Sequence, residues 1–197
     1  MPSVVGAAPI GETPMLLALP PANSIAVGIK SQIRNPRSQI LVITGGVSVG
    51  KYDLTKAALS ELGAEIFFQK VRLRPGKPAV FARLNNTLIF GLPGNPVSAA
   101  VTFYLFVRNA ILLMQSASKT KLRSGFAVLT SDAKAAKERD TYLPATLESD
   151  ASGRLLASPL RWHGSSDFVG FARADVLVAL KRGEVVPTGG IVPILFL

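Results

Sequence analysis

Ile40-Leu41-Val42-Ile43-Thr44-Gly45-Gly46 is the stretch that decides the fold. A continuous β-branched and leucine run with no polar alternation, closed by two glycines, predicts a strand buried on both faces that runs into a glycine loop. After the loop, Leu54, Ala57, Ala58, Glu61 and Leu62 follow helical spacing, and Gly63 stands where a left-handed C-terminal cap belongs. Strand, glycine loop and helix in that order are the opening of an α/β unit.

Working outward, Ala64–Leu73 reads as extended. Ala79–Leu84 and Thr87–Leu92 flank Asn85-Asn86, a pairing that suits a tight hairpin turn. Val97–Gln115 contains no Gly or Pro and is apolar on nearly every face, so it predicts a helix about 28 Å long at 1.5 Å per residue. Such a helix needs a core or a partner subunit to cover it. Beyond the polar, basic stretch Ser116–Ser124, short strand-like runs at Phe126–Leu129, Tyr142–Leu147, Arg154–Leu160, Val176–Leu180 and Ile191–Phe196 predict a small β-barrel or sandwich. Residues 1–37, rich in Pro, Gly and Ala, predict no defined element. The expected organisation is therefore an N-terminal segment 1–37, an α/β domain over 38–115, and a C-terminal β-barrel domain over 116–197.

The 197 residues are 48% hydrophobic and 17% charged, a composition that buries a core and excludes global disorder. With no cysteine, and His163 as the one histidine, disulfides, iron–sulfur clusters and thiolate zinc sites are excluded, and any metal must be held by oxygen. The net charge of +10 favours an anionic partner, and 38–115, with eight basic and three acidic residues, holds the largest share of the surplus. No uncharged apolar stretch reaches the roughly 20 residues of a membrane span, and no basic residue opens the chain ahead of Met15–Leu19. A cytoplasmic protein without a membrane anchor is expected. Nucleic acid is not the expected partner, because aromatic residues are not interleaved with the basic ones.

Three constellations could carry chemistry. In Thr44-Gly45-Gly46-Val47-Ser48-Val49-Gly50-Lys51-Tyr52-Asp53, glycines let backbone amides approach an anion at a helix start. Asp53, the loop's one acid, could hold Mg2+ or orient a water; equally, the glycines could only turn the chain and Asp53 cap the helix. In Lys70-Val71-Arg72-Leu73-Arg74-Pro75-Gly76-Lys77-Pro78, alternating cations would share one strand face before a turn presents Lys77. Converging cations suit a dianion such as molybdate or phosphate, whereas the simpler reading is a solvated strand face. In Gly91-Leu92-Pro93-Gly94-Asn95-Pro96-Val97-Ser98, two prolines bracket Gly-Asn and stiffen a loop that leads into the long helix.

Taken together, in order and spacing, the three motifs resemble those of the molybdopterin molybdenumtransferases, the bacterial counterparts of the gephyrin E domain. The resemblance runs from about Ser38 to the C-terminus. It implies a partial molybdopterin-binding three-layer α/β domain followed by the family's C-terminal barrel. It also implies insertion of molybdenum from molybdate into adenylylated molybdopterin, with Mg2+-dependent release of AMP. Motif by motif, it assigns Asp53 and Lys77 as catalytic and Asp53 as the metal ligand. Gly45, Gly46, Ser48, Arg74, Pro78, Pro93, Gly94, Asn95, Pro96 and Ser165 are assigned to substrate binding. Arg139 joins them as a stand-in for the arginine that many members carry where this chain has Pro144. Val47-Ser48 separates the chain from the related adenylyltransferases, which carry Gly-Gly-Thr-Gly in the first loop. The family's N-terminal regions have no counterpart here, so the alternative is a non-catalytic binding or scaffold module that retains the anion and pterin pocket. A homodimer, or association with a full-length family member, is the expected assembly.

Overall fold

The computed structural model describes residues 22–33, 39–46, 54–160 and 168–197. The chain forms two compact units, one of residues 1–71 and 78–94 and the other of residues 72–77 and 95–197. These lines differ from a division after residue 115: the long helix and the short basic segment 72–77 both belong with the C-terminal strands.

In the first unit, β1 (Ile40–Thr44), β5 (Thr87–Leu92), β4 (Val80–Leu84) and β2 (Glu65–Phe68) form a sheet in that spatial order. The β1–β5 pair is parallel, with Val42 opposite Phe90, and the other two pairs are antiparallel. The hairpin between β4 and β5 turns at Asn85, whose φ of 53° lies in the left-handed region that asparagine tolerates. Helix α2 (Leu54–Glu61) ends as its sequence predicts. Gly63 adopts φ 71°, its N–H donates to Ser60 O, and the Ala64 N–H donates to Leu59 O. This pair of bonds satisfies carbonyls that the helix end leaves open.

Two expectations are corrected here. Residues 22–33, within the segment predicted to lack an element, form helix α1 (Ala22–Ile33). Its Ile25, Ala26 and Ile29 are buried in one cluster with Ala58, Leu59, Ile43, Val80, Ala82 and Ile89. The burial of this i, i+1, i+4 stripe, not propensity, holds α1. Second, β1 is not buried on both faces: it is an edge strand of the described sheet, and Val42 is 37% exposed. The face carrying Ile43 meets α1 and α2, while the opposite face carries an aromatic row. Phe90 stacks on Phe81 at 4.8 Å, and Phe81 on Phe67 at 5.0 Å. A bulge in β2 brings Phe67 and Phe68 both against Phe81.

The second unit is a barrel. β10 (Val176–Leu180), β12 (Ile191–Phe196), β6 (Ser124–Leu129), β9 (Leu155–Pro159) and β8 (Asp140–Ser149) follow one another, and β10 closes back on β8. Closure leaves these strands no free edge. Period-2 alternation fills the interior with Ala127, Leu129, Ala145, Ala157, Val176, Val178, Val192 and Ile194, while Ile191 faces out at 70% exposure. The five predicted strand runs are all present. Too short to read in advance were the pair β7 (Ala133–Lys134) with β11 (Val185–Val186), the strand β3 (Leu73–Arg74), and helix α5 (Phe168–Phe171).

The long helix begins one residue early, at Pro96, and is continuous through three segments: α3 (Pro96–Thr102), a π-helical turn over Phe103–Val107, and α4 (Arg108–Met114). It is less covered than its composition suggests. Val97, Val101 and Val107 are fully buried, but Leu113 is 64% exposed and no residue of α4 is buried. By length and composition alone, with a mean hydropathy of 1.7 over its apolar window, Pro96–Met114 is sufficient to cross a membrane.

Candidate functional site

The glycine loop begins at the carboxyl end of β1. Gly45 and Gly46 have φ of 83° and 69°, conformations that glycine adopts without strain. The Gly45 N–H donates to Leu92 O at 3.0 Å, which ties the loop to the end of β5. Thr55, fully buried in α2, donates its N–H to Gly46 O and its Oγ1 to Gly45 O, so the helix holds the loop from the other side. Gly94 approaches so closely that a Cβ there would stand 3.3 Å from Gly45 Cα. The first and third motifs therefore meet, with two glycine backbones in contact and Pro93 buried beside them. Ser48 and Asp53 lie outside the described residues, as does Ser165.

At the other end of the third motif, Asn95 caps α3. Its Oδ1 accepts from the Ser98 N–H at 3.0 Å and from Ser98 Oγ at 3.2 Å, and Pro96 occupies the first turn, where its missing N–H costs nothing. Capping is the role the geometry gives this side-chain oxygen, and the Asn-Pro-x-Ser spacing is the signal that could have revealed it.

The second motif does not form the strand that its alternation predicts. Lys70 precedes β3, which is only Leu73–Arg74 and runs parallel to β8 with Arg74 opposite Thr141. Arg72, Arg74 and Lys77 are exposed, and Lys77 follows a turn as expected, but Lys70 and Arg72 lie before the strand, so no strand face presents the three alternating cations. The Arg74–Pro75 peptide is cis, and Gly76 has φ 112°. Gly76 is buried against the start of α3: a Cβ on it would overlap Thr102 Cγ2, with Leu73 Cδ2 and Ser98 O also within van der Waals range. Thr102 is itself locked, because its Oγ1 donates to Ser98 O at 2.8 Å and to Ala99 O at 3.0 Å. Lys77 is thus held one residue from a rigid contact with the helix that Asn95 caps. Pro78, half-buried, returns the chain to the first unit.

Pairing of β3 also brings Arg139 into this neighbourhood, a placement the sequence alone could not reveal. The Asp140 N–H donates to Arg72 O at 3.0 Å, and Leu73 is the register partner of Asp140. Arg139, half-buried, therefore precedes by one residue the position facing Leu73. Beside it, burial pushes the Tyr142 hydroxyl pKa upward, and the Asp140 carboxylate adds to the shift. Among the described residues no three His, Cys, Asp or Glu side chains come together to hold a metal ion.

Each unit carries groups that suit an anion. In the first, the close glycine backbones of Gly45, Gly46 and Gly94 leave room for one; in the second, Arg74, Lys77 and Arg139 supply charge.

Comparison with known proteins finds matches over most of the chain. Residues 24–112 match the family described as "Probable molybdopterin binding domain", and residues 127–197 match "MoeA C-terminal region (domain IV)". A molybdopterin molybdenumtransferase of Haemophilus influenzae is 35% identical over 152 residues, covering 76% of this chain and 37% of the relative. One from Bacillus subtilis is 36% identical over 143 residues, 73% of this chain and 33% of the relative. The crystal structure of the molybdopterin biosynthesis moea protein from Pyrococcus horikosii superposes with a TM-score of 0.73 at 26% identity, over 89% of this chain and 41% of that one. The chain thus spans between about a third and two-fifths of the length of these relatives. Both matched regions, in this order and on this fold, establish that the chain belongs to the molybdopterin molybdenumtransferase family.

Proposed function

We propose that this chain works in molybdenum cofactor synthesis, gripping molybdate and the phosphate-bearing tail of adenylylated molybdopterin while molybdenum passes to the dithiolene sulfurs and AMP is released. The observation that carries the reading is the packing of Gly76 on Thr102 and Ser98, which fixes Lys77 beside the helix start capped by Asn95. A dianion exchanges a strong hydration shell for these contacts only if several charge-assisted donors are already in place. In this reading Arg74, Lys77 and Arg139, in the second unit, supply cations to the oxyanion; in the first unit the amides of Gly46 and Gly94 donate to phosphate oxygens, and Gly45, whose N–H is taken by Leu92 O, gives the phosphate a backbone with no side chain in its way. Ser48 and Ser165 add hydroxyl donors. Asp53 is the residue that would hold Mg2+; the described residues do not complete a ligand set for that ion.

The assembly belongs to the same proposal. Leu113, Met114 and Phe103 leave apolar surface on the long helix, and covering it with a second copy, or with a full-length family member, suits a protein working in the cytoplasm. Arg108 argues against a lipid cover, because its guanidinium sits mid-helix and donates to Thr120 O at 3.0 Å.

The test is calorimetric titration with molybdate, followed by an AMP-release assay with adenylylated molybdopterin. Saturable molybdate binding that Lys77→Ala weakens by about tenfold or more supports the site. Unchanged affinity in both Lys77→Ala and Arg74→Ala refutes it. A second reading is a binding module without turnover. Binding of the adenylylated pterin with no AMP release, restored by adding a full-length relative, would select that reading.

A further inference from the structure

Within the second unit a cavity of about 280 Å³ opens where the long helix, the connection after it and the end of β12 meet. Tyr104, Leu105, Asn109, Lys121, Leu122 and Leu195 line it. None of them belongs to the three loops described above. Its walls are pinned by the framework. Arg108 ties the helix to the connection through Thr120 O, the Phe196 N–H donates to Arg123 O at 2.9 Å, and Ser124 registers with Leu195.

Three independent features point to a ligand. The helix passes the cavity as a π turn over Phe103–Val107, a geometry poorer than an α-helix that recurs at functional sites. Asn109 Oδ1 is buried and accepts no hydrogen bond among the described residues, which leaves an acceptor unsatisfied beside the cavity. Lys119, Lys121 and Arg123 fall within five residues with no acid among them, and among the described residues Lys121 forms no ion pair.

We propose that this cavity binds a small organic anion carrying an N–H donor. Its apolar body lies between Tyr104, Leu105, Leu122 and Leu195, its anionic group meets the Lys121 ammonium, and its N–H meets Asn109 Oδ1 after a rotation of the amide. The volume lies at the lower end of the roughly 300–1,000 Å³ of small-molecule sites, so a one- or two-ring compound fits and a dinucleotide-sized substrate does not. The site is therefore separate from the pterin site proposed above.

The probe is indoleacetate, titrated into the isotope-labelled full chain and followed by amide chemical shifts. The expected result is saturable shifts at residues 104–109 and 121–124. Tryptophol, which lacks the charge, should bind about tenfold more weakly, and Lys121→Gln, an exposed substitution, should impose a similar loss on indoleacetate. Naphthaleneacetate, which lacks the N–H, should bind several-fold more weakly than indoleacetate to the wild type but not to Asn109→Leu. The proposal is overturned if the wild type shows no saturable shifts, if the shifts fall on 72–77 and 95–98 instead, or if Lys121→Gln leaves the affinity unchanged.

Discussion

Replacing Gly76 by Ala tests the contact on which the proposed anion site depends. Two costs add. At φ 112° a side chain is strained whatever the space, a penalty of about 1–3 kcal/mol. The new Cβ also overlaps Thr102 Cγ2, and overpacking of this kind costs about 1–3 kcal/mol. Thr102 cannot swing aside freely, because rotating χ1 would break its bonds to Ser98 O and Ala99 O. Gly76→Ala should therefore lower stability by about 3 kcal/mol, which at roughly 2 kcal/mol per molar urea moves the midpoint down by about 1.5 M in circular dichroism. The companion Thr102→Ser keeps the hydroxyl and deletes the methyl, at a cost of about 1 kcal/mol. In the double variant the overlap is gone while the φ penalty stays. The two effects should then sum to less than their separate costs by about 1–2 kcal/mol. A strictly additive pair, or a Gly76→Ala midpoint equal to wild type, would refute the argument that α3 sets the position of Lys77.

Other expectations follow from single residues. Leu59 has no exposed surface, so Leu59→Ala should cost about 2–5 kcal/mol in urea unfolding of the α/β unit. Asn95→Ala removes the α3 cap and should cost about 1 kcal/mol, with a smaller loss in Asn95→Ser, since serine caps as well. Asp150 accepts hydrogen bonds from the Ser152 hydroxyl, from the Arg154 guanidinium and from the backbone N–H groups of Arg154 and Ser152, which hold its carboxyl well below the usual range. Its contribution is fully present above the unfolded carboxylate value of about 3.9 and is lost as the pH falls from there toward the lower folded value. Thermal melts between pH 5 and pH 2 should show this acid sensitivity reduced in Asp150→Asn; an unchanged slope would count against it.

The barrel was legible because its short apolar runs are set apart by turn residues such as Asp150-Ala151-Ser152-Gly153, Arg182-Gly183 and Gly189-Gly190, whose backbone preferences are local. Helix α2 was legible for a similar reason, since Gly63 announces its end. Helix α1 escaped notice because Pro20, Pro21, Asn35 and Pro36 dominate its surroundings, and its stripe of Ile25, Ala26 and Ile29 acquires meaning only against Ala58 and Leu59. The alternating cations at 70–74 misled, because charge spacing describes a strand but does not make one: the ladder with β8 takes up only Leu73 and Arg74. The edge position of β1 was equally unreadable, as an apolar run cannot tell how many neighbours it will pair with.

By itself, then, the amino-acid order determined the family, the presence of an α/β unit and a barrel, and the three loops, because glycine, proline and asparagine act through local backbone geometry that travels with the residues. Only the tertiary structure decided that Gly94 rests on Gly45, that Gly76 rests on Thr102, and that Arg139 comes beside Arg72 and Arg74. Those juxtapositions are long-range contacts, set by strand register and helix packing between segments that no local rule connects.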